Sequence, residues 1–171
     1  MQVIHYKIIV FNSRKDFIMT SQTNNDDDKK YDMLKLDNQL CFSLYVCSKE
    51  IIRKYKPLLD PYGLTYTGYI IMLALWEEDD ITIKSLGEKL YLDSGTLTPL
   101  LKKLEAKGYI TRNRSKKDER NVYISLTRKG KELKKEAICV PEQLIEALDI
   151  DEIKGKQLVE SLHKLMEILT Q

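Results

Sequence analysis

The stretch ITIKSLGEKLYLDSGTLTPLLKKLEAKGYITRNRSKKDERNVYISLT, residues 81–127, decides the fold of this chain. Its first part predicts a helix over Ile83–Leu90 with Thr82 as the N-cap, because a threonine hydroxyl accepts a hydrogen bond from an unpaired backbone N–H. Tyr91 and Leu92 form a turn, and Asp93 or Ser94 caps a second helix that ends before Gly108. The apolar residues of this second helix recur at helical spacing and face a core: Leu97, Leu100, Leu101 and Leu104.

The opposite face of the second helix carries short hydroxyl side chains and two lysines. These residues are Ser94, Thr96, Thr98, Lys102 and Lys103. Hydroxyls reach phosphates or base edges and lysines neutralise phosphates, so this face suits a recognition helix in a major groove. A solvated face on an ordinary core helix is the alternative. Pro99 lacks a backbone donor, so either the helix starts there with Thr98 as its cap or it bends there.

Two strands, Tyr109–Arg114 and Asn121–Leu126, follow around the polar turn 115–120. From Lys102 to Lys131 there are 11 lysines and arginines against three acids, a net charge of +8 in a chain whose total is +2. A basic hairpin directly after a helix-turn-helix indicates binding to a phosphate backbone. We therefore predict a winged helix-turn-helix, mainly α with a small β wing, and include Arg112 and Arg114 among the DNA contacts.

The run LYLDSGTLTPLLKKLEAKGYITR followed by RSKKDERNVYISLT resembles the MarR family of winged-helix regulators. The narrower pattern LDSGTLTPLLKK resembles the branch that senses organic hydroperoxides. The pair Asp118-x-Arg120 and the closing Leu126-Thr127 match the wing signature of the family. The resemblance implies that Arg120 enters the minor groove and that Asp118 holds it by a salt bridge. It covers the chain from about Leu34 to the C-terminus.

Cys41 lies in the segment LDNQLCFSLY, which is similar to the hydroperoxide-sensing segment of that branch. From the residues alone, a cysteine on an amphipathic helix is usually a small buried hydrophobe. The resemblance implies instead that Cys41 is the sensor and that the hydroxyls of Tyr55 and Tyr66 hydrogen-bond its sulfur. Tyr45 also matches a family tyrosine. Phenol donors favour the thiolate, which attacks a peroxide and becomes sulfenic acid.

The chemistry after sulfenic acid stays open between two routes. One is a mixed disulfide with a low-molecular-weight thiol, which we favour, and the other is a bridge to Cys139. Cys47 is too far along the helix from Cys41 for a disulfide, and we expect it to lie in the core.

Helices flank the DNA-binding module on both sides. An amphipathic helix is predicted over Leu36–Tyr55 and is ended by prolines. Thr65 caps a helix over Tyr66–Glu78, whose core side is expected at Ile70, Leu73 and Ala74. Trp76 is expected to pack there too.

After the wing, Thr127 caps a helix to about Ala137. Pro141 opens a further turn or helix, and Asp149 or Asp151 caps a last helix to Thr170. The last helix has an apolar stripe: Leu158, Leu162, Leu165, Met166 and Leu169.

These terminal helices predict a homodimer, since two recognition helices about 34 Å apart fit a palindromic operator in double-stranded DNA. The family resemblance implies the same, with the first and last helices at the interface. We assign residues 33–171 to one domain, with the winged helix-turn-helix at 66–127 and dimerisation helices at 34–60 and 128–171. We expect residues 1–32 to be a disordered extension or a mis-assigned translation start.

The composition limits the classes of protein to which this chain can belong. With 43% hydrophobic and 32% charged residues, the 171-residue chain is globular, and it contains no apolar run of 18 residues that would span a membrane. Its three cysteines show no CxxC spacing, which favours a cytoplasmic protein without a zinc site or a disulfide framework. No cofactor site, metal cluster or catalytic motif is evident, so we do not predict an enzyme.

The predicted function is a repressor that leaves DNA when an organic hydroperoxide oxidises Cys41. Three alternatives remain: a MarR-type regulator of a phenolic or drug-like ligand, a thiol peroxidase using Cys41, and a winged helix that binds protein partners instead of DNA. The peroxidase lacks its usual loop of Pro, Thr and Cys, and the +8 stretch argues against the last alternative.

Overall fold

The structure, a computed structural model, describes residues 31–115 and 121–170. The predicted extension 1–32 therefore lies almost wholly outside the described residues. The chain divides after Phe42 into two units. The described part of the first unit begins with two 3₁₀ turns, Asp32–Leu34 and Leu36–Asn38. The Asn38 side-chain amide donates to the Asp32 carbonyl over 2.6 Å, which joins the two turns.

Helix α1 spans Leu40–Leu59. The prediction of a helix over Leu36–Tyr55 was wrong at both ends. The helix begins later because the 3₁₀ turn occupies Leu36–Asn38, and it continues through Pro57, which removes only one hydrogen bond close to the helix end. Leu59 is fully buried, so packing holds the last turn in place.

Helix α2 spans Tyr66–Glu77, and Thr65 caps it as predicted by accepting a hydrogen bond of 3.1 Å from the Gly68 N–H. The predicted core side was only partly right. Ala74 is buried, but Ile70 is half-buried and Leu73 is 37% exposed. The helix is apolar on nearly every side, so periodicity does not identify its buried face. That face contains Tyr69, Ile71, Met72 and Leu75.

The helix-turn-helix consists of β1 (Ile81–Thr82), α3 (Ile83–Leu90) and α4 (Ser94–Ala106). Thr82 caps α3, Asp93 caps α4, and Gly108 follows α4 with a φ of +74°, all as predicted. Because α4 begins at Ser94, the alternative of a start at Pro99 was wrong. Pro99 lies inside the helix, which tolerates the missing donor because the buried leucines of α4 anchor it.

The wing consists of β2 (Ile110–Arg114) and β3 (Val122–Leu126). Together with β1 they form an antiparallel sheet of order β1-β3-β2, in which Ile124 pairs with Ile81 on one side and Arg112 on the other. Ile124 is fully buried, and Val122 and Leu126 on the same face of β3 pack against the core. Most of the predicted turn, residues 116–120, lies outside the described residues.

Three helices complete the chain: α5 (Arg128–Glu136), α6 (Val140–Leu148) and α7 (Glu152–Leu169). Thr127 caps α5, Pro141 lies in the first turn of α6, and Asp151 caps α7, as predicted. Helix α7 has no buried residue, and the side chain of Leu158 is 50% exposed. None of the described helices is both long enough and apolar enough to cross a bilayer.

The hydrophobic core lies where α2, α3 and α4 meet the sheet and α5. Buried members come from each of these elements: Ile71, Met72, Leu86, Leu97, Leu101, Ile110, Ile124 and Leu133. Leu59 of α1 and Val140 of α6 are fully buried with them. The predicted fold class, mainly α with a small β wing, is confirmed. The core fixes the outward face of α4 because one stripe of its leucines is buried on the other side.

Candidate DNA interface and redox site

Asp93 fixes the start of the recognition helix α4. Its Oδ1 accepts the Thr96 N–H over 2.9 Å, and its Oδ2 accepts the Thr96 hydroxyl over 2.7 Å. The hydroxyl and then the backbone N–H of Thr96 lower the pKa of Asp93 below its ordinary value, since both bonds favour the carboxylate. The first turn of α4 is therefore held in place before any ligand arrives.

The predicted contact residues of α4 lie on one helix and avoid its buried stripe. Ser94, Thr96, Lys102 and Lys103 are exposed, whereas Thr98 is half-buried and donates its hydroxyl to the Ser94 carbonyl over 2.7 Å. The hydroxyl protons of Thr96 and Thr98 are thus used within the helix. Both oxygens retain lone pairs, and the two lysines supply positive charge further along.

The wing strand β2 carries Arg112 and Arg114, whose side chains differ in exposure. The Arg112 Nε donates to the Glu105 carboxylate over 2.8 Å, and the Arg112 side chain is only 25% exposed. This ion pair joins β2 to the last turn of α4. Arg114 is exposed near the end of the strand. Asp118 and Arg120 lie outside the described residues.

Two aspartates that follow α2, Asp79 and Asp80, hold the base of the wing. Asp79 accepts the Leu126 N–H over 2.7 Å and pairs with Lys131 at 3.0 Å. Asp80 accepts the Ser125 hydroxyl over 2.6 Å. Partial burial acts to raise the pKa of Asp79, but the hydrogen bonds from Leu126 and Lys131 outweigh it, so the pKa is lowered. No sequence signal marks these contacts, because the partners are far apart along the chain.

Tyr55 and Tyr66, the two predicted sensing tyrosines, lie together. Their ring centroids are 4.9 Å apart, and Tyr69 lies 5.7 Å from Tyr55. Burial, and then the neighbouring phenols Tyr66 and Tyr69, raise the pKa of Tyr55 to about 12. Tyr55 is therefore a neutral hydrogen-bond donor throughout the physiological pH range. The ring contacts among the described residues do not include Tyr45, which is 62% exposed.

All three cysteines are free. Cys41 is exposed in the first turn of α1, within the unit that ends at Phe42. Cys47 is also exposed, so its predicted core position was wrong: α1 does not bury that face within a single chain. Cys139 is half-buried, and its thiol contacts the Glu136 carbonyl at 3.4 Å, which also accepts the Tyr62 hydroxyl over 3.0 Å. In the described part of the chain, no cluster of His, Cys, Asp or Glu could hold a metal ion.

The sequence and the fold both match known transcriptional regulators. A family model described as transcriptional regulator SarA/Rot matches residues 53–137. The organic hydroperoxide resistance transcriptional regulator of Bacillus subtilis (strain 168) is 49% identical over 144 residues, which cover 84% of this chain and 98% of that protein.

Solved structures agree with these matches. The structure of reduced AbfR bound to DNA, a protein of Staphylococcus epidermidis, is 35% identical and covers 83% of this chain and 99% of that one, with a TM-score of 0.67. A MarR transcriptional regulator from Methanosarcina mazei Go1 is 27% identical, with coverage of 73% and 91% and a TM-score of 0.65. The chain therefore belongs to the MarR family of winged-helix transcriptional regulators, in the branch of the organic hydroperoxide resistance regulators.

Proposed function

We propose that this DNA-binding regulator is a homodimeric repressor that releases a palindromic operator when an organic hydroperoxide oxidises Cys41. The observation that carries the proposal is the capped helix α4, with Lys102 and Lys103 exposed beside the basic hairpin, in a chain 49% identical to an organic hydroperoxide resistance regulator. A fold similar to that of reduced AbfR bound to DNA supports the same function.

Operator binding would use both the helix and the wing. The α4 face from Ser94 to Lys103 enters the major groove, where hydroxyl oxygens and lysines meet phosphates and base edges. Arg114 and Arg120 extend the contact to the flanking backbone and the minor groove, and Asp118 orients Arg120. Arg112 shares its charge with Glu105, so its main contribution is to hold the strand against α4.

The exposed apolar residues of the terminal helices support a dimer. Helix α7 buries no residue within the single chain, and α1 leaves Leu40, Tyr45 and Cys47 exposed. Two copies that cover these faces would place two α4 helices on the two halves of an operator.

The sensing step is nucleophilic attack on a peroxide. The Cys41 thiolate attacks one peroxide oxygen, an S–O bond forms, the O–O bond breaks, and the alkoxide leaves as an alcohol after it takes a proton. Cys41 is then a sulfenic acid. A low-molecular-weight thiol can attack its sulfur, which gives a mixed disulfide and water. Cys41 and Tyr55 lie 14 residues apart on α1, about 21 Å along its axis, so the proposed phenol donors to the thiolate are Tyr55 and Tyr66 of the second copy in the dimer. The high pKa of Tyr55 keeps its donor proton in place.

A gel shift on a duplex from upstream of the protein's own gene tests this function. Wild type and Cys41→Ser are compared with and without cumene hydroperoxide. We expect both to bind DNA when reduced, and only the wild type to release it after peroxide. Cys47→Ser is the matched control, because Cys47 is also exposed on α1, and it should respond like the wild type.

The other outcomes separate the competing functions. Release of both wild type and Cys41→Ser would favour a regulator that responds to a small ligand. Persistent binding of the wild type after oxidation would contradict peroxide sensing but leave DNA binding intact. Repeated turnover of peroxide with a thiol reductant would favour an enzyme.

A further inference from the structure

Tyr91 has a backbone conformation that its side chain does not favour. In the described part of the chain, three residues other than glycine have positive φ: Asp80, Tyr91 and Asp149. Aspartate tolerates this region because its short side chain forms local hydrogen bonds, whereas an aromatic residue is rare there. Tyr91, at φ +53° and ψ 40°, ends α3 at a position where glycine is the ordinary choice.

The Tyr91 side chain finds no packing that would offset this conformation. It is 65% exposed, and its hydroxyl has no hydrogen-bond partner within residues 31–115 and 121–170. The residue forms one wall of a shallow groove of about 400 Å³, together with Lys84, Glu88 and Ser94. A strained residue that contributes nothing to the core points to a function.

The location of Tyr91 indicates what that function is. The turn joins α3 to α4, and in a helix-turn-helix the first helix crosses the DNA backbone while the second enters the major groove. The turn therefore lies over a phosphate at the edge of the groove. Lys89 pairs with Glu77 at 2.9 Å, whereas Lys84, in the same groove, lies 3.9 Å from Glu88 and stays mostly exposed. At this edge the phenol of Tyr91 adds an exposed neutral donor beside the Ser94 hydroxyl and the Lys84 ammonium, which line the same groove.

We propose that Tyr91 is a further DNA contact whose hydroxyl donates a hydrogen bond to a backbone phosphate beside the major groove that α4 enters. The proposal rests on the proposed function as a DNA-binding regulator. The left-handed backbone lets the turn close while it presents an aromatic donor, and glycine in the same place would close the turn without the donor.

Two substitutions separate the hydroxyl from the backbone. Tyr91→Phe removes only the hydroxyl, so DNA binding should weaken about threefold to tenfold for each subunit that makes the contact. Because a phosphate is contacted, the loss should be equal on the upstream duplex and on a scrambled duplex of the same length. Tyr91→Gly should bind as weakly or more weakly, yet its unfolding midpoint should rise by about 2–4 °C, because the strain is relieved.

Salt dependence gives a second readout. A neutral hydroxyl releases no counterion, so Tyr91→Phe should keep the slope of log affinity against log salt, whereas Lys102→Ala should reduce it by about 1 per subunit. Tyr31→Phe is the control, because Tyr31 is an exposed tyrosine outside the DNA-binding module, and it should bind like the wild type.

Each contrary result is informative. Binding of Tyr91→Phe within twofold of wild type would overturn the contact, and a loss limited to the upstream duplex would replace the phosphate with a base. A Tyr91→Gly protein that is no more stable than wild type would overturn the argument from strain. If the wild type binds neither duplex, the proposed function itself fails, and the assignment of Tyr91 fails with it.

Discussion

Asp79 ties the end of α2 to the base of the wing through one carboxylate. Oδ1 accepts the backbone N–H groups of Asp80 and Leu126, and Oδ2 pairs with Lys131 in α5. The N–H of Leu126 is the last donor of β3, so Asp79 completes the strand. The position of the wing relative to the helical core therefore depends on a charged acceptor at this residue.

Asp79 should make stability depend on pH. Its folded-state pKa is lowered from an ordinary value of 3.8, so the stabilisation it provides is fully present above pH 3.8 and is lost as pH falls through the lower folded-state pKa. We expect Asp79→Asn to be about 0.5–1 kcal/mol less stable at pH 7 and to show a smaller loss below pH 4. Urea unfolding at pH 7 and pH 3.5 measures this, and identical pH profiles for the two proteins would contradict it.

Local chemistry explains which residues could be predicted. Thr65, Thr82 and Thr127 were identified as caps because each precedes a helical pattern and acts on an N–H three residues later. Asp79 could not be identified in this way, since its partner Leu126 is 47 residues away. A contact between distant residues leaves no pattern in a single sequence.

Among the elements, the turn of the helix-turn-helix is closely packed around a glycine. A Cβ on Gly87 would lie 2.6 Å from the Leu92 carbonyl oxygen and 3.3 Å from Leu97. The Leu92 N–H in turn donates to the Gly87 carbonyl over 2.9 Å. Close approach of the two backbones sets the angle at which α4 leaves α3.

Gly87→Ala should therefore destabilise the module by about 1–3 kcal/mol, because backbone must move to admit the methyl group. Thermal unfolding followed by circular dichroism measures the loss. Gly155→Ala in α7 is the matched control: its Cβ would meet Ile150 at an ordinary 3.7 Å, and the higher helix propensity of alanine should stabilise it by up to about 1 kcal/mol. Equal effects of the two substitutions would contradict the packing argument.

Element boundaries were harder to predict than the elements themselves. Pro57 and Pro99 suggested helix limits, yet both lie inside helices, because tertiary burial of Leu59 and Leu97 outweighs one missing hydrogen bond. Leu73 of α2 was predicted to lie on the core side but is exposed. The helix is almost wholly apolar, so its sequence has no alternation of polar and apolar faces from which the buried face could be predicted. Amphipathic α4, by contrast, had its buried leucines predicted correctly.

At the scale of the whole molecule, α7 is an 18-residue helix with no fully buried residue within one chain. We expect Leu158→Glu to shift the protein from dimer to monomer and to weaken operator binding at least tenfold, because a charge on a covered apolar face is costly and a single half-site binds weakly. Sedimentation velocity and the gel shift measure the two effects together.

Lys164→Glu, an exposed position off the apolar stripe of α7, is the control and should remain dimeric. A Leu158→Glu protein that stays dimeric would place the interface elsewhere. The stripe itself was evident from spacing, but the residues proposed to cover it belong to a second copy of the chain. The prediction for Cys47 was wrong for the same reason. Its spacing on α1 suggests a buried side chain, but no surface of its own chain covers it.

Trp76 is the single tryptophan of this protein. Its indole N–H donates to the Gly130 carbonyl over 2.9 Å, and its ring meets Tyr69 edge-on at 6.4 Å, next to the Tyr55 contact. The chain thus carries its one tryptophan fluorophore between the tyrosine cluster and α5. Its emission wavelength and anisotropy, excited at wavelengths that tyrosine does not absorb, would report on any change in packing at this end of α2, in real time and without an added label.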